Sequence, residues 1–301
     1  MKARLFILTL YLFSWTSLPI AHKIAELLAK IFLRYLPQAR LVHVTRVNLN
    51  LCFPQLTHEA RQELLKNSMI ETVKSFTELG ALWLWRTEKT LNLIKKVSGE
   101  ALLQQARMTG KPIILLTPHF GAWELTGLYA QTHYPMVALY RPPKILSLNE
   151  FILQARKRGG GHYVSIDRAG IRSLYETLRR GGVVGILPDQ VPHDKNNQTF
   201  APFFGVMAET MILVARLAQK TRAVVIFTYA ERLPQGQGFH LYFFSAPEHI
   251  DSPDLNLATH ALNAGVEHCL QSHPEQYQWS YKRFKTRPAG EPDVYCNNST
   301  D

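Results

Sequence analysis

The chain has 301 residues, 46% of them hydrophobic, and carries 34 Lys and Arg against 23 Asp and Glu, a net charge of +11. This length and apolar content allow one large domain with extensions or two small ones, and charges spread without low-complexity tracts exclude a disordered chain. Cys52, Cys269 and Cys296 form neither a CxxC pair nor a disulfide framework, which fits a reducing compartment.

The charge is uneven. Residues 1–50 hold seven basic residues against the single acid Glu26, beside strongly apolar sequence. That combination points to anionic lipid, whereas a nucleic-acid module shows basic patches on a polar face and a recognition motif. Leu5 to Ala21 is apolar but short and is interrupted by Pro19; the next stretch continues the apolar trend instead of opening a polar mature chain. In residues 22–36, Lys23, Glu26, Lys30 and Arg34 alternate at helical spacing with Leu27, Leu28, Ile31 and Tyr35. The expectation is an uncleaved N-terminal membrane-anchoring segment over 1–36, with its positive flanks on the cytoplasmic side, and a separate domain over 37–301.

Residues 40–56 read as a linker ending at Cys52-Phe53-Pro54. Thr57 to Trp85 reads as one long helix, with Thr57 as N-cap and apolar residues from Leu64 to Leu82 at helical period. From Lys111 the pattern alternates. Strand-like runs fall at 112–117, 136–140, 162–166, 183–187 and 223–228, with helices expected at 121–133, 147–158, 170–180 and 208–220. This predicts an α/β fold with a mainly parallel, mixed sheet flanked by helices. Residues 239–245 add a late strand, expected antiparallel and near an edge. A final helix follows over 254–272, and the tail beyond Arg287 reads as loosely ordered.

Ligands of open α/β sheets bind beyond the carboxyl ends of the strands, and polar residues collect there. His119 follows the first run, Arg141 the second, and Asp189-Gln190 the run at 183–187; Arg156 lies in the helix after Arg141. Glu124 stands five residues after His119, early in the next helix. From the turn before that helix, His119 lies where this carboxylate can reach one ring nitrogen, leaving the other free to take a hydroxyl proton. Each residue also has a plain reading as a turn residue, cap or surface charge; their convergence on one rim is what singles them out.

These segments resemble a known family. HFGAWE (119–124) matches the His-x4-Glu/Asp signature of glycerolipid-type acyltransferases. Together with VNLNLCFP (47–54), YRP (140–142), Arg156, the stretch from 167 to PDQ at 188–190, and APFFG (201–205), it resembles the late acyltransferases of lipid A biosynthesis, the lauroyl/myristoyl family. The resemblance covers about residues 45 to 230. It implies a glycerolipid acyltransferase-like fold at the cytoplasmic face of a bacterial inner membrane. It implies His119 and Glu124 as the catalytic dyad, Arg156 and Asp189 as further residues needed for activity, and Arg141 near substrate phosphate. It also implies an acyl carrier protein as donor and a lipid A precursor as acceptor.

The residues agree with direct transfer to an acceptor hydroxyl. No GxSxG elbow is present and no cysteine neighbours the dyad, so a ternary complex is expected in place of an acyl-enzyme. No HExxH or clustered Cys/His set marks a metal, and no cofactor is expected. Other readings are a lysophospholipid or other glycolipid as acceptor, a nucleic-acid module on the strength of the charge alone, and a catalytically silent membrane scaffold.

Overall fold

A computed structural model describes residues 1–192 and 194–296. Six helices open the chain: α1 (Lys2–Ser14), α2 (Leu18–Tyr35), α3 (Arg40–Cys52), α4 (His58–Thr77), α5 (Leu79–Leu84) and α6 (Thr87–Leu91). Strands and helices then alternate through β1 (Ile94–Ser98), α7 (Ala101–Met108), β2 (Ile113–Leu116), α8 (Trp123–His133), β3 (Met136–Tyr140), α9 (Asn149–Lys157), β4 (His162–Ser165), α10 (Arg168–Arg179) and β5 (Val183–Ile186). A hairpin of β6 (Gln198–Phe203) and β7 (Val206–Met211) precedes α11 (Leu213–Thr221), β8 (Val224–Arg232), β9 (Phe239–Ser245) and α12 (Leu255–Leu270).

Seven strands form one sheet in the order β1-β9-β8-β2-β5-β3-β4. Every neighbouring pair is parallel except β8–β9. The mainly parallel, mixed sheet expected from the alternation is therefore present. Strand β2 sits at its centre and is apolar on both sides. Ile114 and Leu116 join a core with α3, α4, α10, α11 and α12, whereas Ile113 and Leu115 join a second core with α5, α7, α8 and α9. Burial on both faces explains why β2 reads as a continuous apolar run without alternation.

Several expectations need correction. Residues 40–52 are a helix whose Val42, Val44, Leu49 and Cys52 are buried, not a linker. Thr57 does cap α4, accepting from the Ala60 N–H, but the helix breaks at Glu78 before α5. The helix expected over 208–220 begins only at Leu213, because residues 206–211 are a strand. Its hairpin turns at Phe204 and Gly205, both at positive φ (48° and 76°), as a two-residue turn between antiparallel strands requires. Strand β1 had no apolar signature; IKKVS is the exposed outer strand beside β9. The tail through Cys296 is anchored by buried Tyr295.

Among the described residues, no helix is long and apolar enough to cross a membrane. Helix α1 packs on α5, where Gly80 leaves no space between the two backbones, and the Trp85 indole donates to Ser14 O at 2.7 Å. Helix α2 lies on α4 and buries Leu18, Ala21, His22, Ala25 and Ala29. Ile20, Leu27, Leu28, Ile31 and Tyr35 of α2 are exposed, as are Leu5, Leu8 and Leu12 of α1 and Trp15 just after it.

Candidate active site

The loop 119–122 between β2 and α8 is held on three sides. The Gly121 N–H donates to Gln276 O (3.0 Å) and the Ala122 N–H to Ala230 O (2.9 Å). Arg232, from the end of β8, donates to Gly121 O at 2.8 Å. Gly121 has φ +56°, and a Cβ there would lie 1.9 Å from Ala230 O, so only glycine fits at this point of the HFGAWE segment. Arg232 is itself fixed by Glu78 (2.7 and 2.9 Å) and Glu71 (3.2 Å), and Glu78 also meets His22 of α2 at 3.3 Å. This buried network was not anticipated from the sequence; its members lie too far apart in the chain to form a motif.

The His119 imidazole is fixed by Asp189. Its Nδ1 lies 2.8 Å from Asp189 Oδ1, and its backbone N–H donates to Oδ2 at 2.9 Å. Asp189 is 3% exposed. Burial opposes its charge, but the imidazole and the two hydrogen bonds outweigh that and hold its carboxyl below the usual range. With Nδ1–H donated to the carboxylate, Nε2 carries the lone pair and accepts from the Gln190 amide at 3.2 Å. Val191 completes the segment, its N–H donating to Tyr281 Oη at 2.9 Å. Tyr281 is in turn tied to α3, since Asn48 Nδ2 donates to the carbonyls of Trp279 and Tyr281.

Glu124 does not reach the imidazole as its spacing suggested. It forms a forked pair with Arg156, at 2.6 to 3.2 Å. Burial weakens the Arg156 charge, and Glu124 more than offsets it, leaving the guanidinium above its ordinary pKa. The same guanidinium lies over Trp123 (5.1 Å) and Tyr140 (5.3 Å), and Trp123 packs beside the His119 ring at 5.0 Å. His119, Glu124 and Arg156 all line one cavity of about 1150 Å³, and Asp189 stands behind His119. Arg141 lines it too, exposed at the rim with Lys144, Arg168 and Arg216. Gln190, Trp123 and Tyr281 belong to the site as well; Gln190 had a sequence signal in its place at the end of a strand, Trp123 lay inside HFGAWE without being singled out, and Tyr281 had none.

Burial raises the thiol pKa of Cys52 and Cys269, which keeps both protonated. No cluster of three or more metal-ligating side chains occurs among the described residues.

A family model described as bacterial lipid A biosynthesis acyltransferase matches residues 2–286. The chain is 31% identical over 254 residues to a lipid A biosynthesis palmitoleoyltransferase of Escherichia coli, covering 84% of this chain and 81% of that protein. It is 28% identical over 283 residues to the lauroyltransferase of the same organism, covering 92% and 89%. Against the myristoyltransferase, again from that organism, the figures are 26% over 252 residues, covering 83% and 76%. With a match of that extent, and the imidazole, carboxylates and arginines of its motifs gathered on one cavity, the chain belongs to the bacterial lipid A biosynthesis acyltransferase family.

Proposed function

We propose that the protein transfers a fatty acyl chain from an acyl carrier protein thioester to a hydroxyl of a lipid A precursor, with His119 as general base. The observation that carries this reading is the imidazole with its Nδ1 on a buried carboxylate and its Nε2 facing a large cavity. As the acceptor hydroxyl displaces the Gln190 amide, Nε2 takes its proton and the oxygen attacks the thioester carbonyl. Asp189 stabilises the imidazolium that forms. The thiol leaves with that proton, and no acyl-enzyme is needed. Glu124 and Arg156 fix the cavity wall through Trp123 and are assigned here a positioning role.

The basic rim of Arg141, Lys144, Arg168 and Arg216 suits the phosphates of such an acceptor and an acidic carrier protein. The exposed apolar stripes of α1 and α2 suit seating in the cytoplasmic face of the inner membrane without spanning it. Of the relatives named above, each is called after a lipid A acyl transfer, and this supports the acceptor class.

The test is transfer of a labelled chain from carrier-protein thioester to lipid A precursor by purified protein. His119→Ala should cut the rate by about 10²–10⁴-fold with melting temperature little changed. Wild-type rates from that variant would remove the mechanism. Activity only on a lysophospholipid would leave the chemistry and change the acceptor.

A further inference from the structure

The cavity has an inner arm that leads away from the imidazole between α8 and the sheet. Leu115, Met136, Ala138 and Gly185 line it from the strands, and Gly127 and Leu128 from α8. Leu115, Met136 and Ala138 belong to the core beneath α8, so they share one face of the sheet, and Gly185 lies in register beside Leu115 and Ala138.

Glycine is an unfavourable residue both in a helix interior and in a central strand. Neither Gly127 nor Gly185 has positive φ, so the backbone does not demand it. A Cβ on Gly127 would meet only Gln131 Nε2, at 3.7 Å, and one on Gly185 would meet Met136 Sδ at 3.2 Å. Gly127 thus leaves open space in the middle of the arm, and Gly185 leaves the room that the Met136 thioether occupies, so that a side chain there would push Met136 into the arm.

The ends of the arm differ. Phe227 pairs with Leu116, so Thr228 stands level with Thr117, and both line the cavity near its catalytic end. Thr228 is 1% exposed, and its hydroxyl has no hydrogen-bond partner among the described residues. A ligand oxygen there would relieve that cost. At the far end, the Gln131 amide donates to Tyr163 Oη (2.5 Å), and its oxygen accepts from the Gly161 N–H (3.1 Å). Both the nitrogen and the oxygen of that amide are thus held, and it closes the arm.

We propose that this arm holds the acyl chain of the donor, with its carbonyl at Thr117 and Thr228, and that Gly127, Gly185 and the Gln131–Tyr163 floor set the accepted chain length. The assignment rests on the acyltransferase reading above. Thr117 and Met136 are four residues apart in register, a depth of about 13 Å. An extended chain of about ten carbons spans that distance at carbon–carbon bonds near 1.5 Å.

The test uses the full-length protein and two readouts. The first is displacement of a fluorescent fatty acid by a graded series of saturated fatty acids; the second is transfer from carrier-protein thioesters of the same lengths. Gly127→Ala and Gly185→Ala should shift both profiles to shorter chains, with affinity for the wild-type optimum falling about fourfold per methylene displaced. Gln131→Ala should shift them to longer chains. Gly127→Ala meets no close atom and removes a helix glycine, so it should melt no lower than wild type and keeps the test decisive. Unchanged chain-length profiles in the folded glycine variants, or no displacement by any fatty acid, would overturn the assignment. Shifted binding without transfer to any acceptor would instead remove the acyltransferase reading and leave the arm standing.

Discussion

At the scale of single residues, the two carboxylates near His119 have different surroundings, and these predict different failures. Asp189 holds the imidazole through Nδ1. An amide there can donate to Nδ1 and favour the wrong tautomer, so Asp189→Asn should lower kcat by about 10³–10⁴-fold and change the pH–rate profile at little cost in melting temperature. Glu124→Gln instead removes the countercharge of a mostly buried guanidinium while keeping an acceptor for it. It should cost about 1–3 kcal/mol of stability while leaving the profile's shape intact. Thermal melts and pH–rate curves on both variants separate the roles, and the opposite pattern would return Glu124 to the imidazole. His119, Glu124, Arg141, Arg156 and Asp189 were legible in the chain as candidates, but their pairing was not, and Tyr281 gave no sign. Glu124 is near His119 in sequence, whereas Asp189 comes from 70 residues away, and only the adjacency of β2 and β5 brings it there.

At the scale of elements, apolar period marked the buried strands well and misled elsewhere. In α2 the small residues Ala21, Ala25 and Ala29 face the protein, and Leu27, Leu28 and Ile31 face out. A hydrophobic stripe thus shows that a helix is amphipathic without showing which partner it meets. Residues 40–52 read as a linker because Arg40, His43, Arg46 and Asn50 dilute the pattern; Asn48 spends its side chain on buried carbonyls. The tie between α2, α4 and β8 also carries a pH dependence. Burial opposes the charge of Glu78, but Arg232 and His22 outweigh it and bring its carboxyl from 4.5 down to about 2. A carboxyl depressed on folding contributes stability that is present above 4.5 and is lost as pH falls toward 2. Glu78→Gln should therefore start less stable at neutral pH, yet lose less between pH 4.5 and 2 than wild type. Parallel melting curves across an acid series would remove Glu78 from that role.

At the scale of the whole molecule, the N-terminal helices have one buried and one exposed apolar face. Their inner face is part of the fold: Leu10, Ala25 and Ala29 are fully buried. Removing residues 1–36 should lower the melting temperature of what remains. Replacing Leu8, Leu12, Leu28 and Ile31 by Ser should leave it nearly unchanged while weakening binding to anionic vesicles at least tenfold, as expected from about 0.8 kcal/mol per CH₂ buried. Equal vesicle binding by that variant would remove the membrane role proposed for these helices. The sheet order also bears on how the chain is made. Strand β2, which leads to His119, lies between β5 and β8, and Arg232 and Gln276 complete the grip on Gly121. A growing chain on the ribosome therefore cannot assemble its reactive centre until the stretch through Gln276 has emerged. Helices α1 and α2 leave the tunnel long before Arg232 exists, and the membrane seating proposed for them would have that interval in which to form ahead of the active site.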